Sequence, residues 1–120
     1  MNTQDINSIS SIILENYVEG GRRGKSNLMK SAFSKDATIH GFLNGDLLAG
    51  PIQLLFDWVD ANPPATNLKA EISNIDVVDS IATGKIELSG WFENKFTDQF
   101  TLLRENGNWR IISKVFHQHI

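Results

Sequence analysis

The sequence predicts an α+β fold in which N-terminal helices pack on a curved, mainly antiparallel sheet. Two observations carry this. Apolar residues in the first half recur at helical spacing, whereas the second half alternates apolar and polar residues between short turns. A third, a slip of alternation phase near Ser73-Asn74, predicts a bulge that bends the sheet.

Taken in order, Ile6, Ile9, Ile13 and Tyr17 space an amphipathic helix from Thr3 to Glu19, with Ile12 and Leu14 widening the stripe and Gly20-Gly21 marking its end. Ser26 is placed to cap a second helix carrying Leu28, Met29, Ala32 and Phe33. A strand follows through Thr38, Ile39, His40 and Phe42, then a loop punctuated by Gly41, Gly45 and Gly50. Pro51 suits the first turn of a third helix, with Ile52, Leu55, Phe56 and Val59 on one face and Leu54 and Trp58 near its edge; Asn62-Pro63-Pro64 ends it. Four strands complete the chain: Leu68 to Val78, Ile81 to Phe92, Lys95 to Arg104, and Trp109 to about Gln118. The short turns between them make a meander.

At 120 residues the chain is expected to be a single domain, 1–120, with one core. Its net charge of -3 argues against nucleic acid, because the one basic cluster, Arg22, Arg23 and Lys25, sits beside glycines in a loop and forms no stripe. With no cysteine, thiol catalysis, disulfides and thiolate metal sites are excluded. The polar start MNTQDINS lacks the features of a secretory signal, and no run of about eighteen apolar residues suggests a membrane span. The chain therefore reads as soluble and cytoplasmic.

Asp98 is the most informative single residue. It shares strand parity with Phe96, Phe100 and Leu102, so it is expected on the buried face, where a carboxylate is costly unless partnered. Either a pocket or a structural ion pair would explain it, with Lys114 the candidate partner if that side chain points inward. His117 and His119 share a strand face, yet no third ligand has recognisable spacing, so neither a metal nor a cofactor is expected.

Three stretches, YVEGGRRGKSNLMKSAFSKDATIHGF, GPIQLLFDWV and DQFTLLRENGNWRIISKVF, resemble the SnoaL-like branch of the nuclear transport factor two-like superfamily. The resemblance is closest to its "putative lumazine-binding" group. It implies a cone-shaped roll, three N-terminal helices on a strongly curved sheet that wraps an apolar pocket, commonly paired as a homodimer through the outer sheet face. Trp91, Phe92 and Leu103 are the apolar residues expected on that face.

Comparison with the related ketosteroid isomerases, which use an Asp base with a Tyr and a protonated Asp, maps two of three groups. Tyr17 resembles the oxyanion-hole tyrosine, although a core aromatic with its hydroxyl on a backbone carbonyl is the plainer alternative. Asp98 resembles the protonated aspartate. Where the base should stand, the chain has Gly41, and alternation sends His40 to the opposite face. Trp58 is expected to line the pocket because its helix closes the cone. The reading is thus a small-molecule-binding domain, with Tyr17, Asp98 and Trp58 facing a small apolar or carbonyl-containing ligand. The alternative is a cofactor-free isomerase, cyclase or dehydratase using Asp98 and Tyr17.

Overall fold

The computed structural model describes residues 3–120. Helix α1 (Thr3–Ser11), a π-helical segment (Ile12–Val18) and α2 (Glu19–Arg23) follow one another without a break. Ile9, Ile13, Tyr17 and Val18 are buried along this column, while Ile6 and Leu14 at the edges of the stripe stay exposed. The column runs through Gly20-Gly21, which the sequence suggested as its end. Those glycines serve close packing: a Cβ on Gly20 would stand 2.5 Å from Met29 Cγ, and one on Gly21 2.9 Å from Trp91 Cζ2. The helix instead stops at Gly24, whose φ of +67° is the left-handed conformation that glycine enters freely.

Helix α3 (Ser26–Met29) runs into a 3₁₀ turn (Lys30–Ala32). Ser26 does not cap it; its amide and hydroxyl donate to Asp60 at 3.1 and 2.7 Å, tying α3 to the later helix α4 (Gln53–Ala61). Between them lie β1 (Phe33–Leu43) and β2 (Asp46–Pro51). Strand β2 replaces the expected loop, and Pro51 closes it instead of opening α4. The Asn44-Gly45 pair between the strands has positive φ at both positions, the requirement of a tight hairpin turn.

Strands β3 (Lys69–Val78), β4 (Ile81–Trp91), β5 (Asn94–Glu105) and β6 (Asn108–His119) form the expected meander. The six-stranded sheet has the order β2-β1-β6-β5-β4-β3, antiparallel except where β1 runs parallel to β6. Irregularities bend it. In β3, Ile72 faces Ile86 and Asn74 faces Lys85, leaving Ser73 as the extra residue where the phase slip predicted a bulge. In β6, Ile111 faces Leu102 and Ser113 faces Thr101, leaving Ile112 unopposed.

The helices cover one face of this curved sheet, burying Ala82, Ile86, Leu88, Phe96, Phe100 and Leu102. Trp91 departs from expectation: it packs inside, with ring centroids 5.9 Å from Tyr17, 5.7 Å from Trp58 and 6.2 Å from Phe96. Phe92 and Leu103 are half-buried. The large apolar side chains exposed on β1, β2 and β6 are Phe42, its hairpin partner Leu47, and Val115. Among the described residues no helix is long and apolar enough to cross a membrane.

Candidate functional site

Three elements deliver one polar cluster to the inside of the bend. The column of α1 and α2 turns Tyr17 toward the sheet from its π-helical segment, where the wider winding interrupts the regular helix. Strand β5 presents Asp98 by alternation with Phe96 and Phe100. Strand β6 presents Lys114 through its bulge. Trp109 and Ile111 point inward, and strict alternation would then send Lys114 outward; the extra residue at Ile112 reverses the phase, so Lys114 and Phe116 are buried instead.

The Tyr17 hydroxyl donates to Asp98 Oδ2 at 2.6 Å, and Lys114 Nζ lies 3.6 Å from Asp98 Oδ1. That second distance is beyond hydrogen-bond range. Among the described residues, Asp98 Oδ1 is the one buried side-chain polar atom without a hydrogen-bond partner in the protein. The amine also stands 4.6 Å from the centroid of the Phe116 ring and 5.6 Å from that of Tyr17.

Burial dominates the electrostatics because it penalises every charged form. It pushes the Asp98 carboxyl up against the lowering effects of Lys114 and the Tyr17 hydroxyl. It pushes the Lys114 amine down, against Asp98. Tyr17 is raised well above 10 by burial and then by Asp98, so it holds its proton as a donor. The acid and the amine are therefore drawn toward sharing one proton.

Above the cluster is an apolar cavity of about 40 Å³. Tyr17, Asp98 and Lys114 lie on its wall with Trp91, Phe96 and Phe116, while the partly exposed Leu43, Leu48 and Trp58 border it. The volume holds about three water-sized groups, since one water occupies at least ~10–15 Å³ on the same measure. Tyr17, Asp98 and Trp58, the residues singled out in the sequence, thus line one space. The inward placement of Trp91 was not anticipated, and the sequence leaves the direction of Lys114 open; the switch from Trp109 and Ile111 to Phe116 across parities was the available signal for the latter.

The missing isomerase base has a structural counterpart. A Cβ on Gly41 would stand 2.6 Å from two ring carbons and the carbonyl oxygen of Phe116, so phenylalanine fills the space where a carboxylate would enter. Asp98 is the single carboxylate on the cavity wall, and His40 points to solvent. His117 and His119 stack edge to face on the exposed side, their centroids 4.7 Å apart. No group of three or more His, Cys, Asp or Glu side chains placed to hold a metal occurs among the described residues.

A family model described as "Putative lumazine-binding" matches residues 4–117. The chain belongs to that family. Two solved structures share its fold along nearly the whole length. An NTF2-like protein of unknown function from Methylobacillus flagellatus is 39% identical, covering 100% of this chain and 96% of that one, with a TM-score of 0.94. Another from Shewanella baltica is 37% identical over 100% and 98%, with a TM-score of 0.93. A protein named Aldolase FrzH from Cladobotryum is 33% identical over 104 residues, which cover 86% of this chain and 83% of that protein. The fold of this family member is accordingly the cone-like NTF2-like roll.

Proposed function

We propose that this chain is a small-molecule-binding domain whose cavity takes a small, largely apolar, carbonyl-containing molecule with its oxygen turned toward Tyr17 and Asp98. The observation that carries the reading is a buried acid with one oxygen unpartnered, facing a cavity walled mainly by apolar side chains. Leaving a buried carboxylate oxygen unpaired costs on the order of 1–3 kcal/mol, which a ligand hydrogen bond would offset. A carbonyl suits the site because an Asp98 carboxyl raised by burial can donate to it while Tyr17 holds the other oxygen. Two copies are further proposed to pair through the outer sheet face around Phe42, Leu47 and Val115.

The test is titration of isotope-labelled protein with acetone, followed at the backbone amides of β5 and β6. Saturable shifts at Asp98 and Lys114 are expected; Asp98→Asn should largely keep them and Asp98→Ala should weaken them. A wild type with no saturable shift would defeat the binding reading.

A second reading, a cofactor-free enzyme, is favoured by the relative named an aldolase. Making or breaking a carbon-carbon bond beside a carbonyl needs a donor for the developing oxyanion and a group to move a proton, roles open to Tyr17 and Asp98. It stands beside the isomerase, cyclase or dehydratase alternative, of which the isomerase is disfavoured because a side chain at Gly41 would meet Phe116. Turnover of a small β-hydroxy carbonyl compound that Asp98→Asn abolishes, with binding intact, would establish the enzyme reading in place of a pure binding module.

A further inference from the structure

We infer that Lys114 is a nucleophilic amine that condenses reversibly with an aldehyde or ketone in the cavity to form a protonated Schiff base. The inference rests on the carbonyl-binding reading and assigns the chemistry of the same site.

A lysine becomes a nucleophile toward carbonyls when desolvation in an apolar pocket leaves its amine uncharged. Lys114 meets the structural conditions. It is 5% exposed, lies on the cavity wall, and is surrounded there by the rings of Tyr17 and Phe116. A purely structural ion pair would be expected to close to hydrogen-bond distance, yet Nζ stands 3.6 Å from Asp98 Oδ1 and that oxygen is left without a hydrogen-bond partner. Burial draws the amine below its ordinary range, which favours the uncharged form.

The step balances within the cluster. Lys114 and Asp98 together carry one proton beyond a neutral amine and a carboxylate. The Nζ lone pair attacks the carbonyl carbon, the C–N bond forms, and the carbon-oxygen π pair moves onto oxygen. One amine proton passes to that oxygen through Asp98. The shared extra proton then joins it, the C–O bond breaks, and water leaves. The product is an iminium cation beside the Asp98 carboxylate, with net charge unchanged and no outside acid or oxidant consumed. Oδ1 is placed to receive the iminium N–H, while Tyr17 keeps its proton on Oδ2. The cavity volume of about 40 Å³ selects small aldehydes and ketones of roughly three to four non-hydrogen atoms.

The experiment treats the intact protein near pH 7 with acetaldehyde and cyanoborohydride, which reduces an iminium to a stable alkyl-lysine, and maps the modified peptides over time. Lys114 competes with six other lysines, all of them exposed, Lys85 and Lys95 among them. A buried amine drawn toward its uncharged form beside the cavity should react ahead of the surface lysines, so Lys114 should be the first peptide labelled and should label faster than Lys85 or Lys95. Lys114→Met should lose that adduct, and the wild-type peptide map decides the point even if the variant folds poorly. Labelling spread over the surface lysines without preference for Lys114 would overturn the inference. Saturable amide shifts with no Lys114 adduct would leave the binding reading standing and remove the covalent one. Absence of both shifts and adduct would remove both.

Discussion

Converting the buried polar trio to a well-packed apolar one should make the protein more stable, because the site is held against the preference of the core. The perturbation is Tyr17→Phe/Asp98→Leu/Lys114→Met. It removes the 2.6 Å Tyr17–Asp98 hydrogen bond and the Lys114–Asp98 pair together, leaving no group without a partner, and the adjoining cavity of about 40 Å³ has space for the added carbons. Replacement of a buried ion pair by apolar residues of similar volume is commonly neutral or stabilising by about 1–4 kcal/mol. Breaking the pair on one side has the opposite sign. Asp98→Ala strands a buried amine and the Tyr17 hydroxyl, with an expected loss of about 3–5 kcal/mol, moderated to the extent that Lys114 sheds its proton.

Urea unfolding followed by tryptophan emission is the assay, and Trp58 and Trp91 beside the cavity report on it. The pH dependence of the wild-type minus triple-variant stability is a second readout. Asp98 is raised on folding, so between its unfolded value of about 3.9 and its folded value the native chain binds more protons, and stability falls as pH rises. Lys114 is lowered, so between its folded value and its unfolded value of about 10.4 the unfolded chain binds more protons, and stability rises with pH. The difference should be least favourable to the wild type on the plateau between these windows and recover on either side. It is read below about pH 10, because the raised Tyr17 makes stability fall above its unfolded value. A triple variant less stable than wild type, with a difference flat across pH, would refute the reasoning.

Gly41→Asp should fail to create isomerase activity and should lower stability by about 1–3 kcal/mol, since its Cβ meets Phe116 at 2.6 Å; a thermal melt matching wild type would contradict this. Sedimentation at tens of micromolar should show a dimer that Leu47→Lys or Phe42→Glu converts to monomer, exposed apolar side chains having been replaced by charges. A wild type that sediments as monomer would defeat it. Elemental analysis of purified protein should find no stoichiometric zinc, iron or manganese, and chelation should leave the melting temperature unchanged; retained metal would raise His117 and His119 to candidate ligands.

Local pattern was enough for most elements. The period of Ile9, Ile13 and Tyr17 placed the first helix, and alternation through Ala82, Ile86 and Leu88 placed the buried face of β4. It placed Asp98 inside as well, because β5 keeps its phase from Phe96 to Leu102. The β1–β2 hairpin was legible in Asn44-Gly45, a turn signal that the glycine-rich composition around it obscured. Gly20-Gly21 misled for a physical reason: glycine both weakens a helix and permits close packing, and only the proximity of Met29 and Trp91 decides between them.

By itself, then, the sequence determined the helices, the meander and the buried carboxylate, all of which follow from local period; that Gly41 stands where a base would is what the isomerase resemblance implies. What only the tertiary structure decided was the direction of Lys114, the inward placement of Trp91 and the pairing of Tyr17 with Asp98 across 81 residues. Each depends on where two distant segments meet. The β6 bulge reverses which face Lys114 occupies, and a reversal of phase by one unopposed residue is set by pairing with β5 rather than by alternation within β6.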